Sequence, residues 1–324
     1  MQTSRIKQSI FIVTGMHRSG TSFTASLLQS AGLDIGQRLI EPGPGNIKGF
    51  FESVDFVKFH EMVLRSQGLH DIGWTLQEKI DVEQQYIQQA KEIISKSSRS
   101  PMWGWKDPRT SLFLDFWVDL LPNANFILIY RSPWEVVDSL YRRGDPIFLE
   151  QPELAVKIWM HYNKRILEFY DKFAEQCVLV SIYSIVDRTQ AFISGINSKF
   201  QVNLVTPAAD LYEQSLLQTA VSDVHRPTLV SHYFPQALEI YQQLTAREAL
   251  SAESPEHDQS WLKKIKSPPE SVWAFQDWVN LRHLERQVKS LRGELERSQS
   301  QLQQIQAALD SMSSIANTDF SEED

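Results

Sequence analysis

Eight consecutive residues, Gly15-Met16-His17-Arg18-Ser19-Gly20-Thr21-Ser22, place two glycines, an arginine and three hydroxyls together. Glycines let a backbone approach an oxyanion closely, and successive N–H groups can cradle it. The segment follows a short apolar run, Ile10–Val13, and precedes a stretch in which Phe23, Leu27 and Leu28 recur at helical spacing. Strand, glycine turn and helix start thus coincide, and the helix N-terminus favours the same anion. The frame is G-x-x-x-x-G, but Thr21 stands where an ATP- or GTP-binding loop carries its Lys. The cation is Arg18, inside the loop. Such nucleotidases also need a Mg²⁺ carboxylate at the end of a neighbouring strand. The next buried strand, Phe126–Tyr130, ends in Arg131. A metal–triphosphate site is disfavoured, and a phosphate site built from Arg and hydroxyls, with no metal, is favoured.

A second phosphate grip lies downstream. Pro133 opens a helix, and Ser139 falls eight residues after Arg131, about two turns in. Arg supplies forked donors and Ser one more, enough to hold one further phosphate. Two separated phosphate sites on one sheet suit a nucleotide phosphorylated at both its 5′ and 3′ positions.

These motifs resemble those of the PAPS-dependent sulfotransferase family. GMHRSGTS is similar to its 5′-phosphosulfate loop, and YRSPWEVVDS to its 3′-phosphate motif, over roughly residues 8–185. The resemblance implies PAPS as co-substrate, bound by Gly15, His17, Arg18, Ser19, Gly20, Thr21 and Ser22 with Arg131 and Ser139 on the 3′ phosphate. Trp103-Gly104-Trp105-Lys106-Asp107-Pro108-Arg109 resembles the Lys-Asp-Pro segment of the carbohydrate and protein-tyrosine branches, in which the Lys supports the transferring group. Asn46–Glu52 resembles a G-x-F-E element of bacterial members that places a Glu beside the sulfate donor. The chain departs from the cytosolic small-molecule branch: Arg18 replaces its loop Lys, no R-K-G-x-x-G-x-W-K segment occurs, and Tyr183-Ser184-Ile185-Val186 stands where relatives often have Tyr-Glu-Asp-Leu.

The implied reaction is sulfuryl transfer to a hydroxyl acceptor, a glycan among the candidates. In-line transfer needs a positioned nucleophile and positive groups around the central atom. Glu52 is the expected general base, and Lys106 and Arg18 the expected stabilisers of developing charge. Glu41 is the alternative base, and a first-turn helix cap is the alternative role for Glu52. Lys106 could instead pair with Asp107 or a nearby acid, His60 could be a packed histidine, and His17 could point to solvent. His225-Arg226-Pro227 could close over the nucleotide. Two other classes stay open: a P-loop small-molecule kinase using ATP–Mg²⁺, and a noncatalytic coiled-coil scaffold.

Placing these groups requires a parallel sheet. Ile10–Val13, Phe126–Tyr130 and Val178–Ile182 read as buried strands, alternating with helices near 53–66, 81–96 and 153–175. The fold class expected is α/β, a three-layer P-loop-type sheet with ligands beyond the strands' carboxyl ends. The 324 residues suit one such domain, 1–267, plus an appendage. In the appendage Leu281, Leu284, Val288, Leu291, Leu295, Ser298, Leu302, Ile305 and Leu309 alternate at steps of three and four, the pattern of a coiled coil across 268–312. That seam could serve a homo-oligomer or a partner. Residues 313–324 read as an acidic disordered tail. A formal net charge of −8 argues against nucleic acid as partner. Cys177 is the sole cysteine, so no intrachain disulfide forms, and no apolar run approaches the length of a membrane span. A cytoplasmic protein is expected.

Overall fold

The computed structural model describes residues 8–43, 49–97, 100–207, 225–250 and 272–319. Asn46–Lys48, Pro268-Pro269 and the end of the acidic tail lie outside the described residues. Two compact units are present, Met1–Lys266 and Ser267–Asp324.

In the first unit four strands, β1 (Ser9–Gly15), β2 (Met102–Lys106), β3 (Asn125–Tyr130) and β4 (Cys177–Ser181), form one sheet in the order β2-β1-β3-β4. Every pairing is parallel. The sheet is flanked by α1 (Thr21–Ser30), α2 (Val54–Ser66), α3 (Gln84–Ser97), α4 (Leu114–Leu120), α5 (Pro133–Arg143), α6 (Pro146–Glu150) and α7 (Pro152–Phe173). After β4 come α8 (Ile182–Asp187), α9 (Thr189–Phe200), α10 (His225–Tyr233) and α11 (Pro235–Ala246). Side chains alternate across each strand, so both faces must be covered in a parallel sheet. Ile12, Trp103, Trp105, Phe126, Leu128 and Tyr130 pack on one face with α2, α4, α5, α7 and α11. Phe11, Val13, Ile127, Ile129, Val178 and Val180 pack on the other with α1, α8 and α9. The α/β fold expected from the alternation is the fold observed.

β2 escaped the sequence reading because its Met-Trp-Gly-Trp-Lys run has no β-branched residue and a glycine at its centre. The glycine is needed for pairing: a Cβ on Gly104 would fall 1.8 Å from the Phe11 carbonyl oxygen. Each outer strand also bonds to backbone outside the sheet. Asp34 O accepts from Gly104 N at 2.8 Å on the β2 side, and Ala249 N donates to Leu179 O at 2.9 Å on the β4 side.

The second unit contains one long helix, α12 (Val272–Asp319). It continues past 312, so residues 313–319, expected to belong to a disordered tail, are helical.

Candidate active site

The register of the sheet collects the chemistry at one edge. Val13 pairs with Lys106, Gly15 with Ile129, and Tyr130 with Ser181, so Lys106, the Gly15 loop, Arg131 and Tyr183 all follow carboxyl strand ends. Gly15 is fixed by space, since a Cβ there would lie 2.1 Å from Ile129 O. Thr14 hydrogen-bonds through Oγ1 to Asp107 O and Ser111 Oγ, both at 2.9 Å, tying the loop's root to the turn after β2.

Arg18 takes a left-handed backbone, φ 68°, an uncommon state for a non-glycine residue and one concentrated at functional sites. The conformation aims its side chain at α5, where Nε donates to Ser139 Oγ at 2.8 Å. Arg131 joins them, with Nη1 donating to Arg18 O at 3.4 Å and Nε to Tyr183 OH at 3.2 Å. Glu135 completes the clamp: it accepts from Ser132 and Tyr183 hydroxyls and lies 3.7 Å from Arg131 Nε. Burial, followed by repulsion from Arg143, Arg131 and Arg142, pushes the Arg18 guanidinium below its ordinary range. Positive charge is therefore crowded here in a chain whose formal net charge is −8. Two buried donors, Ser19 Oγ and Arg131 Nη2, have no hydrogen-bond partner among the described residues. An unmade buried hydrogen bond costs about 1–3 kcal/mol, which an anion's oxygens would recover.

Lys106 is 1% exposed, and its ammonium makes three bonds: to Ser22 Oγ at 3.0 Å, Phe50 O at 3.0 Å and Glu52 Oε1 at 2.7 Å. The acid it pairs with is Glu52, not Asp107. The other oxygen of Glu52 lies 3.7 Å from Arg109 Nη1. Glu52 precedes α2 and faces Lys106; the acidic residue in that helix's first turn is Asp55. Phe51, beside it, has φ 55°, a second strained non-glycine residue in the site. Glu41 is exposed.

A layer behind Lys106 holds this arrangement. Asp107 Oδ1 accepts from Arg109 N at 2.9 Å and Nη1 at 3.1 Å, and Oδ2 meets His60 Nδ1 at 2.8 Å. His60 Nε2 faces the indole N–H of Trp117 at 2.9 Å. An indole can only donate, so Nε2 is the acceptor and His60 carries its proton on Nδ1, which donates to Asp107. Burial opposes ionisation of Asp107, yet Arg109 and the His60 N–H hold its carboxyl well below the usual carboxylate range. His60 is a packed histidine, fully buried.

His17 is buried as well, not turned to solvent. Its Nε2 donates to Ile72 O at 2.9 Å and its ring meets Trp74 edge-on. Burial first, then Arg109, lowers its pKa well below the ordinary value. Arg226 pairs with Asp138 at 2.6 Å, next to Ser139 in sequence, whereas the side chain of His225 lies outside the described residues. Tyr162 and Trp159 are core, and Tyr141 is exposed. Sequence reasoning missed the Glu135–Tyr183 clamp and the His60–Asp107–Trp117 chain. Both link residues far apart in sequence, and no local spacing signals such pairings.

A model of the sulfotransferase family matches residues 9–204, more than half of the chain. The chain belongs to the sulfotransferase family. Its matched region runs from β1 to just beyond α9 and contains every residue of the edge described above. Solved sulfotransferase structures are similar to it. The sulfotransferase domain from the curacin biosynthetic pathway is 19% identical with a TM-score of 0.41, covering 68% of this chain and 80% of that one. The domain from the Synechococcus PCC 7002 olefin synthase is 20% identical with a TM-score of 0.42, covering 66% and 80%. Sulfotransferase STF1 from Mycobacterium tuberculosis H37Rv is 12% identical with a TM-score of 0.37, covering 74% and 77%. No curated protein matches the chain. Among the described residues no helix is long and apolar enough to cross a membrane.

Proposed function

We propose that this sulfotransferase takes the sulfuryl group of PAPS, passes it to a hydroxyl acceptor and releases 3′,5′-ADP. The observation that carries this reading is the pair of buried, unpartnered donors, Ser19 Oγ and Arg131 Nη2, beside the Arg18–Ser139 hydrogen bond. One donor belongs to the strand–turn–helix loop and the other to the next strand end, as a ligand with two separated phosphates requires.

Residues Gly15–Ser22 hold the 5′ phosphosulfate, and Arg131 with Ser139 holds the 3′ phosphate. Glu52 accepts the proton of the acceptor hydroxyl, whose oxygen bonds to sulfur while the bond from sulfur to the leaving phosphate oxygen breaks. The electron pair leaves with 3′,5′-ADP. Lys106 and Arg18, with the loop amides, offset charge on the sulfonate and the leaving phosphate, as preorganised donors do in a water-poor site. The chain needs no metal for this step, because these cations take that role. The acceptor is a hydroxyl-bearing molecule, a carbohydrate or another alcohol. One buried cysteine fits a cytoplasmic setting.

Thermal denaturation with 3′,5′-ADP, compared with ATP–Mg²⁺, tests the donor, because a ligand stabilises the folded state that binds it. A rise in Tm with 3′,5′-ADP at micromolar concentration is expected. Stabilisation by ATP–Mg²⁺ alone would establish the kinase reading instead.

A further inference from the structure

We infer that α12 joins α12 of a second copy as a parallel, in-register, two-stranded coiled coil. The helix is 48 residues long, roughly 70 Å at the α-helical rise. Leu284, Val288, Leu291, Leu295, Leu302, Ile305 and Leu309 are each more than half exposed. Their steps of three and four place them, with Ser298, on a single narrow stripe that drifts slowly around the helix, the geometry of a supercoil seam. A continuous apolar row of this length is not left bare on a protein surface.

The seam itself identifies its occupant. In heptad notation Val288, Leu295, Leu302 and Leu309 take one core position (a) and Leu284, Leu291, Ser298 and Ile305 the other (d). A parallel, in-register pair stacks like with like, so Ser298 meets Ser298 of the second copy and each hydroxyl gains a partner. An antiparallel pair, or one slipped by a heptad, sets Ser298 against a leucine or isoleucine and buries an unpaired hydroxyl. The flanking positions agree. Parallel packing brings Gln287 to Arg292, Glu294 to Gln299 and Gln301 to Gln306 across the seam. No like charges meet, and each pair contains an amide that can both donate and accept. A heterologous partner would have no need of such self-complementarity. Val288 at position a with Leu284 and Leu291 at position d favours two strands, whereas Leu302 at a with Ile305 at d is the arrangement of larger bundles, and the mass in solution decides between them.

Sedimentation equilibrium of the full chain at ~10 µM should give the mass of two chains. The double substitution Leu291→Asp, Leu302→Asp should halve that mass while leaving the thermal shift with 3′,5′-ADP in place. Orientation is read by disulfide capture. Leu284→Cys and Ile305→Cys, each introduced alone, should both form interchain disulfides on mild oxidation, the buried Cys177 remaining outside the reaction. A wild-type mass of one chain, or a two-chain mass that the double substitution leaves unchanged, would overturn the pairing. A three-chain mass would overturn the two-stranded form, and a dimer that cross-links at neither cysteine would overturn the parallel register.

Discussion

Arg18 Nε and Ser139 Oγ, 121 residues apart in the chain, meet at 2.8 Å and so bind the first helix's anion loop to the helix that follows β3. The bond ties two segments of the chain together at the strand ends. If Ser139 serves the 3′ phosphate, Ser139→Ala removes a donor to a charged ligand and releases the Arg18 side chain. Hydrogen bonds to charged groups contribute roughly 1.5–3 kcal/mol, so affinity for 3′,5′-ADP should fall about ten- to hundredfold. Calorimetric titration should show a much smaller change for 5′-AMP, which lacks that phosphate.

Glu52→Gln keeps the shape of the side chain but removes the proton acceptor. General-base assistance is worth ~10²–10⁴ in rate, and turnover should drop by that factor with 3′,5′-ADP binding nearly unchanged. Near-normal turnover in this variant would transfer the base to another residue, with Glu41 the first to test.

Tyr183→Phe should loosen Arg131 without removing it. The tyrosine hydroxyl bridges Arg131 Nε and Glu135 and keeps the buried Nη2 in its place. The expected result is a several-fold loss in preference for 3′,5′-ADP over 5′-AMP, measured as a ratio of Kd values. An unchanged ratio would make the tyrosine a packing residue only.

His17 gives the stability a pH dependence whose sign follows from its environment. Burial holds its folded pKa well below the ordinary value, so the unfolded chain takes up a proton near pH 6.5 that the folded chain refuses. Stability contributed this way is intact above pH 6.5 and is lost as pH falls below it, by up to about 1.4 kcal/mol per pH unit. Denaturant titrations from pH 7.5 to 5.5 should show a steeper decline for the native chain than for His17→Gln. Parallel curves would contradict the burial of a neutral imidazole.

Cys177 sits in β4, where burial pushes its thiol up to about 12. The thiolate is the reactive form, so an aromatic disulfide reagent should label the folded protein negligibly over an hour and label it fully in guanidinium.

Much of the site was legible before the structure because it is local. Gly15–Ser22 and Arg131–Ser139 are short segments that each follow a strand, and the sheet register carries them to one edge. The strands Phe126–Tyr130 and Val178–Ile182 were readable as apolar, largely β-branched runs between polar stretches. β2 was not, since tryptophans flanking a glycine do not announce a strand. The reach of Lys106 to Glu52 across 54 residues, and of His60 to Asp107 across 47, depends on how α2 lies against the turn after β2. Periodicity gives a helix its buried face, not its partner. The difference between a capping Glu52 and one facing two cations was therefore invisible until the chain was folded.

The three bonds of the Lys106 ammonium couple segments that are distant in the chain. One group is shared by the Gly15–Ser22 loop through Ser22, by the neighbouring loop through the Phe50 carbonyl, and by Glu52. Neither loop can move far without disturbing the other's anchor. A substitution that shifts the Phe50 carbonyl would therefore be felt at Ser22 through the one ammonium they share.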